Sequence, residues 1–313
     1  MNYQSLIVLT VITGLFALPT YAQPEEQCPP QQGVALQVLG SGGPVADDAR
    51  ASSGYIVWVD GKSRILIDAG GGTFLRFGEA AASFADLDFM GISHFHTDHS
   101  ADLPALLKSG YFSARERSLP VAGPDGNGTF PGLETYLQHM LDGNAGAYGY
   151  LSGYLDGTGG LPALVPFEVS RNPAGPVTLM GNAQSEVQVD GLHVPHGIVP
   201  ALAFRVRIGS TVIVFAGDQN GDDPRFIEFA KSAALLVMHM PVAEDAAGVA
   251  RKLHAPPGVI AGIASQSGAK ALLLSHFMAR SLLDLDANVK LIRSNYQGRV
   301  IVADDLDCIV TGA

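Results

Sequence analysis

Short apolar runs bounded by glycine, proline or acidic residues recur along the chain and predict many buried strands. Helical spacing of the apolar residues is confined to fewer places, namely residues 100–111, 133–141 and 259–266. Residues 186–194 are predicted to form a hairpin around Asp190-Gly191. The other predicted strands are residues 34–39, 55–59, 64–68, 87–92, 119–124, 201–208, 211–216, 233–238 and 271–276.

Several of these predicted strands end in a residue that can bind a metal ion. His94 and Asp218 each come directly after an apolar run, and His276 ends another. Because α/β folds gather their active-site groups where strands end at one rim of a sheet, we expect these side chains to meet. Asp68 also closes an apolar run, where it is either a partner for a metal-binding imidazole or an ordinary turn residue.

The stretch His94-Phe95-His96-Thr97-Asp98-His99 has the pattern HxHxDH, with three imidazoles and a carboxylate among consecutive residues. The preceding run predicts a buried strand and the following residues predict a helix, so the motif lies at a strand-to-helix turn. In an extended segment His94 and His96 point to one face and can share one cation. The turn brings Asp98 and His99 round to a second cation. The alternative, ordinary polar residues of an exposed loop, explains this spacing poorly.

The first residues predict export. Residues 1–22 combine an apolar segment, Pro19 and a small-residue cleavage site, which is typical of a secretory signal peptide, although no Lys or Arg precedes the apolar segment. The alternative is an uncleaved membrane anchor, for which the apolar segment is short. We therefore expect a periplasmic or secreted protein with no membrane segment after signal removal. Residues 23–33 are predicted to be an irregular lead-in and residues 34–313 a single domain.

Charge and cysteine content limit the partners and the compartment. The net charge of −11 falls outside the leader, and no cluster of Lys and Arg is present to hold a phosphate backbone, so no nucleic-acid partner is expected. The two cysteines, Cys28 and Cys308, either form a disulfide in an oxidising compartment or remain free thiols.

Two glycine-rich segments have open interpretations. Residues 142–161 interleave glycines with tyrosines and are either a mobile flap beside the active site or an insertion without function. The turn at residues 40–44 offers backbone N–H groups that could face an anion, or is merely a turn.

These motifs together resemble the metallo-β-lactamase superfamily, in the branch that includes ribonuclease Z, related phosphodiesterases and arylsulfatases. The resemblance extends from about residue 34 to residue 302. It rests on HxHxDH, Pro195-His196, Phe215-Ala216-Gly217-Asp218 and Leu274-Ser275-His276-Phe277, in that order. It implies an α/β (α+β) fold of the four-layer αββα type, with two β-sheets face to face, helices outside and two divalent metal ions at one rim.

Carried over residue by residue, the resemblance implies two metal sites. His94, His96 and His196 would hold one ion, Asp98, His99 and His276 the other, and Asp218 would bridge them. Imidazole and carboxylate ligands suit Zn²⁺, with Mn²⁺ or Fe as alternatives. A hydroxide bridging two such ions is a nucleophile at neutral pH, because metal binding lowers the pKa of water from ~15.7 towards ~7.

The catalytic residues implied are Asp98 and His254. His254 matches a histidine that in ribonuclease Z assists the leaving group, so its imidazolium would protonate the departing oxygen; a plain loop histidine is the alternative. His139, His193 and His239 match no motif and are expected to be surface or packed residues.

We therefore expect a binuclear metal hydrolase that cleaves a small anionic ester, either a phosphodiester or an aryl sulfate. Lactone or thioester hydrolysis by the same scaffold is the alternative. tRNA processing is disfavoured because the segment corresponding to the basic arm of ribonuclease Z is residues 142–161, which contain no Lys or Arg. A non-catalytic metal-binding module is disfavoured because the chain keeps the whole ligand set. A homodimer is compatible with the sequence.

Overall fold

The computed structural model describes residues 28–172 and 175–311. The strands are β1 Val34–Gly40, β2 Gly54–Val59, β3 Lys62–Ala69, β4 Phe89–Gly91, β5 Leu119–Pro124, β6 Leu164–Val169, β7 Val177–Met180, β8 Val187–His196, β9 Val199–Ile208, β10 Thr211–Phe215, β11 Leu235–His239, β12 Ala271–Ser275, β13 Arg299–Val302 and β14 Cys308–Thr311. The helices are α1 Thr73–Glu79, α2 Thr97–Ser100, α3 Leu103–Gly110, α4 Leu133–Leu141, α5 Gly153–Asp156, α6 Arg225–Phe229, α7 Gly248–Leu253, α8 Pro257–Ser267, α9 Ala279–Leu282 and α10 Leu285–Asn295. Short 3₁₀ turns lie at Phe84–Asp86 and Gly149–Leu151.

The strands form two seven-stranded sheets: β1 to β6 with the last strand, β14, form the first, and β7 to β13 form the second. The first has the order β14-β1-β2-β3-β4-β5-β6 and the second the order β13-β12-β11-β10-β9-β8-β7. Strands β3 to β6 run parallel, as do β10 to β13. In each sheet the carboxyl ends of several neighbouring strands therefore lie along one rim.

Three apolar cores separate four layers. The middle core lies between the sheets and contains Phe89 and Phe204, whose rings meet edge to face at 6.2 Å. A second core joins the first sheet to helices such as α3 and α4, and a third joins the second sheet to α6, α8 and α10. Strands covered on both faces have little exposed surface, which explains their continuous apolar runs. This is the predicted αββα sandwich.

The hairpin predicted within residues 186–194 is wrong. That segment is the single long strand β8, and the hairpin turn lies after it, at Gly197-Ile198, before β9. Gly191 is required for space and not for a turn, because a Cβ there would meet Leu179 Cδ1 at 2.9 Å. Strands β6, β7, β13 and β14 and helix α10 were not predicted, because their apolar positions are too few or too interrupted.

The two cysteines form a disulfide. Cys28 and Cys308 are paired with a Cα–Cα distance of 5.8 Å, so the segment before β1 is joined to β14, the edge strand beside β1. Residues 28–33 contain no helix or strand. The disulfide therefore joins the two ends of the described chain at one edge of the first sheet.

The predicted signal peptide, residues 1–22, lies outside the described residues and its prediction stands untested. Within residues 28–172 and 175–311, every helix is too short or too polar to cross a bilayer.

Candidate metal centre

Histidine and aspartate side chains from both sheets converge at the rim where the parallel strands end. Each lies at or just after the end of a strand, or in the short helix α2 and the turn before it. The residues are Asp68 of β3, His94 after β4, His96, Asp98 and His99 of the motif, His196 of β8, Asp218 after β10, His239 of β11 and His276 after β12. The HxHxDH segment begins after β4 and runs into α2, which confirms the predicted strand-to-helix turn.

The first group of ligand atoms comes from His94, His96 and His196, whose ring nitrogens lie within 4.8 Å of one another. His94 Nε2 and His96 Nδ1 are 3.0 Å apart. His196 Nδ1 lies 2.9 Å from the carbonyl oxygen of Leu253 and donates to it, so Nε2 carries the lone pair. That buried Nε2 has no hydrogen-bond partner in the described part of the chain, as expected of a metal-ligating atom.

The second group comes from Asp98, His99 and His276. His276 Nε2 lies 3.1 Å from both Asp98 Oδ2 and His99 Nε2. On its other side, His99 Nδ1 lies 2.8 Å from Asp68 Oδ2, and Asp68 accepts from the backbone N–H and the hydroxyl of Ser93. This contact directs His99 Nε2 into the site, so Asp68 is the orienting partner and not merely a turn residue.

Asp218 lies between the two groups. Its Oδ2 is 3.6 Å from His196 Nε2 and 3.7 Å from His99 Nε2, and its Oδ1 is 3.4 Å from His276 Nε2. One carboxylate therefore faces ligand atoms of both groups. The neighbouring imidazoles hold the pKa of Asp218 well below its ordinary value although its burial acts in the opposite direction.

These residues fit divalent cations. Burial and the adjacent imidazoles lower the pKa of His94 well below its ordinary value, so the ring is neutral and offers a lone pair. Two imidazole lone pairs at 3.0 Å repel each other unless a proton or a cation lies between them. Imidazole nitrogens with carboxylate oxygens are the donor set that Zn²⁺ and similar ions take in proteins.

His239 is a site residue that the sequence reasoning assigned to the surface or the core. It is buried at the end of β11, with Nδ1 2.7 Å from Asp218 Oδ1 and Nε2 3.1 Å from the hydroxyl of Tyr55. That hydroxyl also contacts Ser275 Oγ at 2.8 Å. Because both ring nitrogens are engaged, His239 orients Asp218. The signal that could have found it is its position at the end of a buried strand beside those ending in Asp218 and His276.

The structure places His254, the residue that the resemblance indicated, beside the candidate ligands. It follows α7, and its ring packs against His196 and His276 at centroid distances of 5.2 and 5.9 Å. Its Nδ1 is 3.8 Å from Asp218 Oδ2. Burial lowers the pKa of His254 to about 3, so the resting ring is neutral and can donate only the hydrogen of a neutral imidazole.

The glycine-rich segments have structural roles. Residues 142–161 form α5 and the turn before it and pack on α4, where Tyr154 is buried and donates to the carbonyl oxygen of Leu107. None of them lines the cavity at the metal centre. In the turn at residues 40–44, the N–H groups of Gly42 and Gly43 donate to carbonyl oxygens of Ala51 and Phe277, so they are not available to an anion.

A cavity of about 510 Å³ opens onto the metal centre. Its walls combine the site histidines and aspartates with apolar side chains and one arginine. The lining residues are Pro44, Phe95, His96, Thr97, Asp98, His196, Asp218, Leu253, His254, His276, Met278 and Arg280.

The fold and the cluster define a metal-dependent hydrolase of the metallo-β-lactamase fold. The family described as the beta-lactamase superfamily domain matches residues 63–277, and the chain belongs to that family.

Known proteins resemble the chain over most of its length. It is 26% identical to the ribonuclease Z of Methanosarcina mazei, over 86% of this chain and 95% of that protein. The crystal structure of human tRNase Z, short form, superposes with a TM-score of 0.68 at 21% identity, covering 89% of this chain and 100% of that one. A diphosphatase from the PhnP family superposes with a TM-score of 0.60 at 17% identity, covering 89% and 100%.

Proposed function

We propose that the protein is an exported hydrolase that holds two Zn²⁺ ions and cleaves a small anionic ester, either a phosphodiester or an aryl sulfate. The observation that carries the proposal is the convergence of two ligand groups on Asp218, with a cavity opening onto both. His94, His96 and His196 would hold one ion, Asp98, His99 and His276 the other, and Asp218 both.

The charge of such a centre favours an anionic substrate. When bound, the ions supply Lewis acidity and lower the pKa of water to about 7. Two divalent ions bring four positive charges, of which the carboxylates of Asp98 and Asp218 offset two, so the cavity is cationic within a protein of net charge −11. Asp98 keeps its charge, because His99 and His276 hold its pKa low against the effect of burial.

We assign assistance of the leaving group to His254. It lines the cavity beside the Asp218 carboxylate, within reach of an ester bound between the two ligand groups. Because the resting ring is neutral, protonation of the departing oxygen requires the negative charge of the bound ester to stabilise the imidazolium.

RNA is a second candidate substrate, because the relative from Methanosarcina mazei is named ribonuclease Z. The net charge of −11 argues against a polyanionic partner. We therefore still predict that the protein does not bind nucleic acid. Lactones and thioesters are the remaining alternatives.

Export is proposed from the leader pattern of residues 1–22 together with the Cys28–Cys308 disulfide, since disulfides persist in oxidising compartments. Cell fractionation tests it, and recovery of the protein in the cytoplasm with its first 22 residues intact would contradict it. The proposed homodimer is tested by light scattering of the purified protein.

The reaction class is tested by assaying the protein with Zn²⁺ or Mn²⁺ against bis-p-nitrophenyl phosphate, p-nitrophenyl sulfate, a lactone, a thioester and a precursor tRNA. We expect metal-dependent turnover of the diester or the sulfate, and its loss in Asp218→Ala. Turnover of the lactone or thioester alone would overturn the anionic-ester assignment, and cleavage of the tRNA alone would replace it with RNA processing.

A further inference from the structure

The cavity at the metal centre contains an arginine that the proposed chemistry does not use. Arg280 lies in α9, just beyond His276, and lines the cavity together with the candidate ligands. Among the lining residues it alone carries a permanent positive charge. Arg280 therefore borders the cavity in which the ester would react, and it also borders a neighbouring cavity lined by Asp245 and Asp284.

The guanidinium of Arg280 is held in place but not neutralised. Its Nε donates to the carbonyl oxygen of Pro241 at 2.8 Å. Within residues 28–172 and 175–311, its two terminal nitrogens have no hydrogen-bond acceptor and no carboxylate within 4.0 Å. Many other arginines do pair with a carboxylate: Arg50, Arg64, Arg76, Arg117, Arg171, Arg225 and Arg251.

Among the described residues Arg115, Arg205, Arg207, Arg293 and Arg299 likewise pair with no carboxylate, but Arg280 is the arginine that lines the cavity at the metal centre. Its side chain is exposed, so its terminal nitrogens are accessible to a ligand. A planar guanidinium with one edge fixed and the other open is suited to bidentate binding of a carboxylate or phosphate.

Apolar side chains line the same cavity. Phe95, Leu253 and Met278 contribute to its walls, and Phe95 is fixed by stacking on Tyr136 with ring centroids 4.4 Å apart. A cavity of about 510 Å³ is in the range that holds organic ligands and is larger than a bare phosphate or sulfate requires. The cavity therefore has room for an organic body in addition to the scissile group.

We propose that Arg280 binds a second anionic group, a carboxylate or a phosphate, carried on the organic part of the substrate. The proposal rests on the proposed function, in which the metal centre cleaves an anionic ester. The preferred substrate then has a scissile anionic ester, an apolar or aromatic body against Phe95, Leu253 and Met278, and a terminal anion at Arg280.

The test compares p-nitrophenyl aryl phosphodiesters that differ only in one substituent on the second ring: a carboxylate, a phosphonate or a neutral carboxamide. For the wild-type protein we expect KM to be about 10-fold lower for one of the two anionic substrates than for the carboxamide, with similar kcat. The two anionic substrates distinguish a carboxylate from a phosphate ligand.

Arg280→Met should abolish this preference by raising KM for the anionic substrate much more than KM for the carboxamide. Arg280→Lys should keep part of the preference, because the charge remains without the planar fork. Arg251→Met is the matched control, because Arg251 lies in the neighbouring α7, pairs with Asp222 and does not line the cavity.

Turnover of all three substrates with equal KM in the wild-type protein would overturn the Arg280 site and leave the proposed function intact. An unchanged preference in Arg280→Met would do the same. If the protein cleaved none of the diesters and also failed to cleave p-nitrophenyl sulfate, both proposals would be overturned. Equal losses on all substrates in Arg280→Met, with the Lys variant no better, would show a structural role and overturn the binding role.

Discussion

At the residue scale, the orientation of the Asp218 carboxylate depends on His239 and Tyr55. Because His239 Nδ1 faces a carboxylate oxygen at 2.7 Å, its proton lies on Nδ1, and Nε2 lies 3.1 Å from the Tyr55 hydroxyl. Burial raises the pKa of Tyr55 above its ordinary value, so its hydroxyl keeps its proton at neutral pH. His239, itself in contact with Tyr55, holds Asp218 Oδ1 and leaves Oδ2 facing the Nε2 atoms of His196 and His99.

Replacing His239 by Phe should weaken binding of the metal ions by about 10- to 100-fold, since outer partners of ligands commonly have effects of that size. Tyr55→Phe should weaken it less, because His239 itself remains. Zinc affinity is measured by competition with a chromogenic chelator.

Tyr154→Phe is the control for these variants, because Tyr154 is equally buried and donates to a carbonyl oxygen away from the site. If His239→Phe bound zinc as tightly as Tyr154→Phe, His239 would be a packed histidine only, as the sequence suggested.

Backbone conformation at the site is another residue-scale feature. Asp68 and His276 have φ angles of 60° and 58°, in the left-handed region that non-glycine residues rarely adopt. Such a conformation costs of order 1–3 kcal/mol and persists only where surrounding contacts impose it. Both residues end or follow a strand at the rim, so the fold stabilises an unfavourable local geometry where the side chains must converge.

At the scale of elements, the segment after β3 and the start of α2 approach each other closely. A Cβ on Gly70 would lie 2.1 Å from the carbonyl oxygen of Asp98. The glycine therefore allows the HxHxDH turn to pack against the end of β3, where Asp68 contacts His99.

Gly70→Ala should displace the backbone of Asp98 and destabilise the fold by about 1–3 kcal/mol, as overpacking does, with a loss of bound metal. Gly78→Ala in α1 is the matched control: its Cβ would meet open space, and a helical glycine replaced by alanine gains about 0.5–1 kcal/mol. Urea unfolding and metal analysis measure both effects. Equal metal content in the two variants would contradict the close-packing explanation.

The sequence predicted elements well where one signal dominated. Residues 133–141 were predicted as a helix from apolar spacing and are α4.

The position of the Pro195-His196 pair beside the HxHxDH histidines came from resemblance, because no local pattern shows that β8 and β4, in different sheets, end at the same rim. His239 was missed because its neighbours, Met238 and Met240, give no ligand spacing; its role depends on Tyr55, far away in sequence. The Cys28–Cys308 pair was left open because only the pairing of β1 with β14 brings the chain ends together.

At the scale of the whole molecule, the disulfide closes nearly the entire domain into one loop. Cys28 and Cys308 are 280 residues apart in sequence. A cross-link that closes a long loop restricts the unfolded chain and stabilises the native state by about 2–5 kcal/mol. Neither cysteine lines the cavity.

The double variant Cys28→Ser, Cys308→Ser should therefore unfold at lower temperature than the wild-type protein while keeping its kcat at 25 °C. Thermal unfolding with and without a reductant measures the effect, and the reductant should lower the Tm of the wild-type protein only. A wild-type Tm that does not respond to the reductant would show that the disulfide does not limit stability.

The proposed metal ions would also act on the whole molecule, because their ligands come from both halves of the chain. His94, Asp98 and His99 follow β4 of the first sheet, and Asp218 and His276 follow β10 and β12 of the second. Ions bound only in the native state stabilise it by RT ln(1 + [L]/Kd), about 4 kcal/mol at a free concentration 1,000 times Kd. For a domain of this size each kcal/mol shifts the Tm by about 2–4 °C.

Removing the metal with a chelator should therefore lower the Tm by about 10 °C, and added Zn²⁺ should restore it. The shift should be much smaller in Asp218→Ala, which loses the carboxylate shared by both ligand groups, and undiminished in Asp222→Ala, whose side chain is exposed and pairs with Arg251 outside the cavity. Calorimetry of each variant with and without Zn²⁺ measures these shifts. The two sheets meet at the metal centre through these side chains, so bound ions should raise the Tm. A wild-type Tm that does not change when Zn²⁺ is added or removed would mean that the cluster does not hold ions, although it resembles centres that do.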